Sequence, residues 1–108
     1  MVKETKLKEL LAEFKTGLQA IYGSRLKGFY LYGSYARGEQ EEYSDVDVLI
    51  VLDEIPHYAA EIWRTGRLNS GLSLKYDVSI SRVFFSEREW LTKDTSFLAN
   101  VREEAVVA

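Results

Sequence analysis

From residue 3 to residue 22, apolar side chains recur at every third or fourth position. They are Leu7, Leu10, Leu11, Phe14, Leu18, Ile21 and Tyr22, with lysine and glutamate between them. That period predicts an amphipathic helix with one buried face, ended by Gly23 and Ser24. The pattern then changes. Residues 27–32 (KGFYLY) are rich in aromatics and predict a first strand. A short helical turn is expected from Ser34 to Gly38, capped by Ser34 and stopped by Gly38, and Glu39 to Glu42 read as an exposed acidic loop. Residues 45–52 predict a second strand. Its run from Val48 to Leu52 is almost unbroken in apolar character, which suits a central strand covered on both faces.

Pro56 fits the first turn of a further helix, with Ile62, Trp63 and Leu68 as its apolar positions and an end near Gly71. Residues 74–80 (LKYDVSI) alternate and predict a third strand. Leu74, Tyr76, Val78 and Ile80 would share one face, and Lys75, Asp77 and Ser79 the other. Ser86 followed by Glu89 is a capping-box pattern that opens a short helix. Ser96 is placed to cap a last helix through Phe97 and Val101. The order is helix, strand, short helix, strand, helix, strand, helices. It describes one α/β (α+β) domain over residues 1–108, without internal repeat or linker.

Composition narrows the chemistry. Apolar residues make up 46% of the 108, enough for one modest core. The net charge of −3 is spread over interspersed acids and bases, which argues against a nucleic-acid-binding surface built on a basic stripe. The chain has no cysteine, so disulfides and thiolate zinc sites are excluded. Its one histidine, His57, excludes a multi-histidine metal site and reads as surface structure at a helix start. The N-terminal MVKETKLKELLAEF lacks the apolar core of a signal peptide. No run approaches the roughly 20 apolar residues that cross a membrane. A cytoplasmic protein without a membrane partner is expected.

The candidate chemistry lies in Gly33 to Asp47, GSYARGEQEEYSDVD. A glycine at the turn lets backbone amides come close to a phosphate. Asp45 and Asp47, one residue apart at the start of a strand, point the same way. Two neighbouring carboxylates resist ionising together, and a divalent cation resolves the conflict. Magnesium takes oxygen ligands and is commonly held by one or two carboxylates plus substrate phosphates. Taken alone, such a pair is more often a solvated strand start; the Gly-Ser at fixed distance changes that weighing. Asp77, on the polar face of the expected third strand, stands beside the pair if the two strands are neighbours. It would then complete a two-metal site or take a proton from an attacking hydroxyl. Arg37 is placed to reach a phosphate or to pin the loop to an acid, and Ser44 either joins the site or closes the loop.

The stretch GSYARGEQEEYSDVD resembles the GSx10DxD signature of the nucleotidyltransferase superfamily that includes DNA polymerase beta. The short length, the ARG after Gly-Ser and the SDxD form resemble its minimal nucleotidyltransferases. The resemblance covers most of the chain, from the first helix through Asp77, and implies a small mixed sheet flanked by helices. It implies that Gly33 and Ser34 bind the outer phosphates of a nucleotide. It further implies that Asp45 and Asp47 bind two Mg2+ ions, with Asp77 as third carboxylate, and that ATP gives up AMP with pyrophosphate leaving. Minimal nucleotidyltransferases are commonly encoded beside a HEPN-domain protein, and some act as antitoxins that transfer AMP onto that toxin. A HEPN-domain toxin is therefore the expected partner, in a homo- or hetero-oligomer. Two alternatives stand beside this reading: an antitoxin that works by binding alone, and a nucleotidyltransferase for small molecules.

Overall fold

The computed structural model describes residues 2–108. Helix α1 (Glu4–Tyr22) buries Leu10, Phe14, Leu18 and Tyr22, one side chain per turn. Each fully buried leucine or phenylalanine contributes about 1.5–3 kcal/mol relative to exposure. The Phe14 ring stacks on Phe29 at 5.4 Å between centroids, which seats the helix on the sheet.

Four strands form one mixed sheet: β1 (Leu26–Tyr32), β2 (Val46–Leu52), β3 (Ile80–Ser86) and β4 (Val106–Val107), in the order β3-β2-β1-β4. Strand β1 runs antiparallel to both β2 and β4, while β2 and β3 are parallel. A parallel pair needs a crossover, supplied here by α3 (Tyr58–Arg64) and α4 (Gly66–Tyr76). As the unbroken apolar run predicts, β2 is central and buried on both faces. Val46, Val48, Ile50 and Leu52 point toward α1 and α4, joining Leu10, Phe14, Leu18 and Leu72 in one cluster. Leu49 and Val51 point to the opposite face, where α6 (Ser96–Glu104) covers them with Leu98 and Val101.

The third strand lies later than the sequence pattern suggests. Residues 74–76 close α4, Asp77 adopts the left-handed conformation (φ 52°) that ends the helix, and the strand begins at Ile80. Alternation in LKYDVSI competes with a four-residue period in Leu68, Leu72 and Tyr76, and the longer period wins because it meets α1. These three side chains pack into the cluster around Phe14, whereas Leu74 is 83% exposed. The strand itself is ISRVFFS, whose Phe84 and Phe85 reach opposite faces of the sheet.

Helix ends also differ in detail. Helix α3 starts at Tyr58, one residue beyond His57, so Pro56 precedes the helix. The crossover breaks at Thr65 and continues through Gly71 to Tyr76. Ser34 lies inside α2 (Gly33–Arg37) and does not cap it, while Gly38 stops it in the left-handed region. Helix α5 (Glu87–Thr92) carries the expected Ser86–Glu89 capping box. The last helix is capped by Thr95, whose hydroxyl accepts from the Leu98 N–H, and not by Ser96.

Candidate active site

Strand β1 ends at Tyr32, whose register partner on β2 is Asp47. Gly33 turns directly after it with φ +75°. A Cβ on Gly33 would collide with the Asp47 carboxylate, so only glycine lets the turn and the acid lie this close. The chain from Gly38 to Asp45 then loops out and back. Ser44 closes that loop, its hydroxyl accepting from the Glu41 N–H at 2.8 Å and its own N–H donating to the Glu41 carbonyl. That places the Ser44 hydroxyl in the loop's own hydrogen bonding.

Asp47 shares the face of Leu49 and Val51, the face covered by α6. Asp45 precedes the strand and is exposed, while Asp47 is half-buried. Burial, and then the charge of Asp45, push the Asp47 carboxyl above its ordinary range; Arg37 opposes the shift and Glu104 adds to it. Tyr32 is pushed up to about 12, first by burial and then by the Asp47 charge.

Glu104, at the end of α6, is the acid that sequence reasoning misses. Its Oε1 accepts from the Gly33 N–H at 3.1 Å and its Oε2 from Arg37 Nη1 at 2.7 Å. Arg37 Nε is held by Glu39 at 2.9 Å. The guanidinium, and then the Gly33 amide, hold the Glu104 carboxyl below its ordinary range against the effect of burial. No local signal marks Glu104, since two glutamates ending a helix read as a solvated end.

The structure does not bring Asp77 onto a strand beside the pair. It caps α4 and lines an opening with Tyr43, Ser44 and Ser79, and the β3 residue in register with Asp47 is Ser81. Among the described residues no three acidic, histidine or cysteine side chains gather to hold a metal ion. The expected convergence of Asp45, Asp47 and Asp77 is therefore not formed. The strand that was to carry Asp77 starts three residues too late. Asp47 lies against the Gly33 turn, and Asp45 is close enough for its charge to act on Asp47.

A cavity of about 650 Å³ opens next to the turn, lined by Tyr32, Gly33, Arg37, Phe97, Asn100 and Glu104 among others. Its volume lies within the range of small-molecule sites. The Gly33 turn thus adjoins an arginine, the Asp47 carboxylate and room for a ligand.

The sequence model of the nucleotidyltransferase domain family matches residues 7–106, nearly the whole chain. The chain belongs to the nucleotidyltransferase family. It is 39% identical over 98 residues to MJ0141 of Methanocaldococcus jannaschii, named as an inferred protein adenylyltransferase; the match covers 91% of this chain and 94% of that one. It is 35% identical over 78 residues to the protein adenylyltransferase MntA of Thermococcus cleftensis, covering 72% and 77% of the two chains. Among solved structures, a toxin–antitoxin crystal structure with AMP-PNP shares the fold with a TM-score of 0.62. It is 21% identical and the match covers 87% of this chain and 68% of that one. The mixed sheet flanked by helices is a nucleotidyltransferase fold, and the chain is a nucleotidyltransferase. Among the described residues no helix is long and apolar enough to cross a membrane.

Proposed function

We propose that this chain transfers AMP from ATP to a hydroxyl of a partner protein, and that the pair is a toxin–antitoxin system in which the partner is a HEPN-domain toxin. The observation that carries the reading is the contact of Gly33 with Asp47, which sets phosphate donors against a carboxylate pair. The names of the two relatives support a protein as acceptor. The AMP-PNP and the toxin–antitoxin pairing of the structural neighbour support ATP and a toxin partner.

In this reading the Gly33 N–H, Ser34 and Arg37 hold the outer phosphates of the nucleotide, with the guanidinium matching a phosphate's planar pair of oxygens. Asp45 and Asp47 offer an oxygen-only donor set whose mutual repulsion already disfavours the ionised pair, which fits one or two Mg2+ ions. Magnesium held there supplies neutralisation of the charge on the attacking and leaving oxygens. The acceptor hydroxyl oxygen bonds to the α-phosphorus as the bond to the bridging oxygen breaks. Pyrophosphate leaves and the hydroxyl proton is released. The chain's part is to hold the α-phosphorus in line between the two oxygens. The proposal rests on the Gly33 turn and the Asp45/Asp47 pair; Asp77 and Ser44 are not needed for it.

The test is protection of cells that express the toxin partner. With both Asp45→Asn and Asp47→Asn in place, protection should be lost while the two proteins still form a complex. Full protection by the doubly substituted chain would replace transfer with neutralisation by binding alone.

A further inference from the structure

Glu104 occupies the donors that the proposed phosphate site needs. Its two carboxylate oxygens take the Gly33 N–H at 3.1 Å and Arg37 Nη1 at 2.7 Å, one oxygen to each donor. A carboxylate and a phosphate present alike a pair of anionic oxygens, and both suit an amide and a guanidinium set side by side. One N–H cannot serve both acceptors at full strength. Glu104 also adds to the negative potential at Asp47, which a triphosphate arriving at this face would meet as repulsion.

We propose that Glu104 is a built-in competitor for the phosphate site, which an arriving nucleotide must displace from Gly33 and Arg37, so that Glu104 sets nucleotide affinity. The inference rests on the nucleotide-binding reading above. The fold makes the displacement local. Glu104 is the last residue of α6, and Ala105 beyond it is already extended, leading to the two-residue edge strand Val106–Val107. The helix is anchored upstream by the buried Leu98 and Val101, and by the Arg102 guanidinium, which donates to the Trp90 and Lys93 carbonyls. The Glu104 side chain can therefore swing away without unseating the helix. Arg37 has a second acceptor in Glu39, at 2.9 Å.

The experiment measures binding of AMP-PNP and of inorganic pyrophosphate, each with magnesium, to the full chain and to Glu104→Gln. Glutamine keeps the shape and loses the charge. Loss of a charge-assisted competitor should tighten both ligands roughly tenfold. The gain should be equal for the two, because it arises at phosphates and not at the base. Glu103→Gln is the control for general charge. Glu103 lines the same cavity, and among the described residues neither Gly33 N–H nor Arg37 bonds to it, so its gain should be at most about twofold. Glu104→Asp keeps the charge but is one methylene too short to span both donors, and should give an intermediate gain. A circular dichroism spectrum and melting curve for each variant ensure that folded protein is compared. Unchanged or weaker binding in Glu104→Gln overturns the competitor and makes Glu104 a support for the turn. Equal gains in Glu104→Gln and Glu103→Gln overturn it as well. If neither the parent chain nor Glu104→Gln binds either ligand, the nucleotide reading itself fails and the competitor falls with it.

Discussion

Gly33 and Asp47 touch so closely that the glycine cannot carry a side chain. Its φ of +75° is costly for other residues, and a Cβ there would lie against the Asp47 carboxylate. Gly33→Ala should therefore cost about 2 kcal/mol or more in urea unfolding, from backbone strain and collision together. It should also weaken AMP-PNP binding more than its stability loss explains, because relief of the collision moves Asp47. Gly66, where a Cβ meets nothing within 4 Å, provides the comparison: Gly66→Ala should be stable or slightly stabilised.

The raised carboxyl of Asp47 makes a stability prediction with a definite sign. A group held above its ordinary value binds its proton more tightly in the folded state. Its contribution is present below the ordinary aspartate range and is lost as pH rises through the raised value. In magnesium-free buffer, Asp47→Asn should therefore raise the melting temperature at pH 7 and flatten the fall in stability above the ordinary aspartate range. Addition of magnesium should stabilise the parent chain and leave Asp47→Asn nearly unchanged. A parent chain indifferent to magnesium at all pH values would speak against the pair as a cation site.

Away from this face, Glu61 is a buried carboxylate with ordered partners. The Tyr22 hydroxyl donates to it at 2.7 Å, Arg64 Nε lies at 3.0 Å and Arg25 Nη2 at 3.8 Å. The Tyr22 hydroxyl is pushed well above its ordinary value, first by its burial and then by that hydrogen bond. Tyr22→Phe leaves a buried charge short of a donor and should cost about 1–3 kcal/mol in denaturant unfolding. AMP-PNP affinity of the folded variant should be unchanged, since α1 and α3 lie on the face opposite Asp47. A large loss of affinity would show coupling across the sheet.

Asp77 holds a left-handed turn at the end of α4. Glycine adopts that conformation without steric penalty, so Asp77→Gly should be neutral or stabilising by up to about 1 kcal/mol, and Asp77→Val should destabilise by about 1–2 kcal/mol. Equilibrium unfolding of the two variants checks it. Equal effects would contradict the turn geometry at this position.

Much of the fold is written locally. The three-to-four period of α1, the apolar run of β2 and the Ser86 capping box each lie within one element, and each forms where its pattern predicts. The strand expected over 74–80 does not form there, because its alternation overlaps the period of Leu68, Leu72 and Tyr76 and the position of α1 decides for the helix. β4 has two residues and no pattern of its own; it exists because β1 offers a free edge. The site divides in the same way. Gly33 and Asp47 meet because an antiparallel pair joins them within one short stretch of chain. Glu104 reaches Gly33 across 71 positions, and nothing in its neighbourhood announces the contact.

The most direct test is transfer of label from α-labelled ATP, with magnesium, in the presence of the proposed toxin partner. Label should appear on the partner protein with the parent chain. It should fall about a hundredfold or more with either Asp45→Asn or Asp47→Asn, since removing one electrostatic contributor at a reacting phosphate costs on that order. A tight complex that never acquires label, or label that persists at the parent rate in both variants, would contradict AMP transfer at this site.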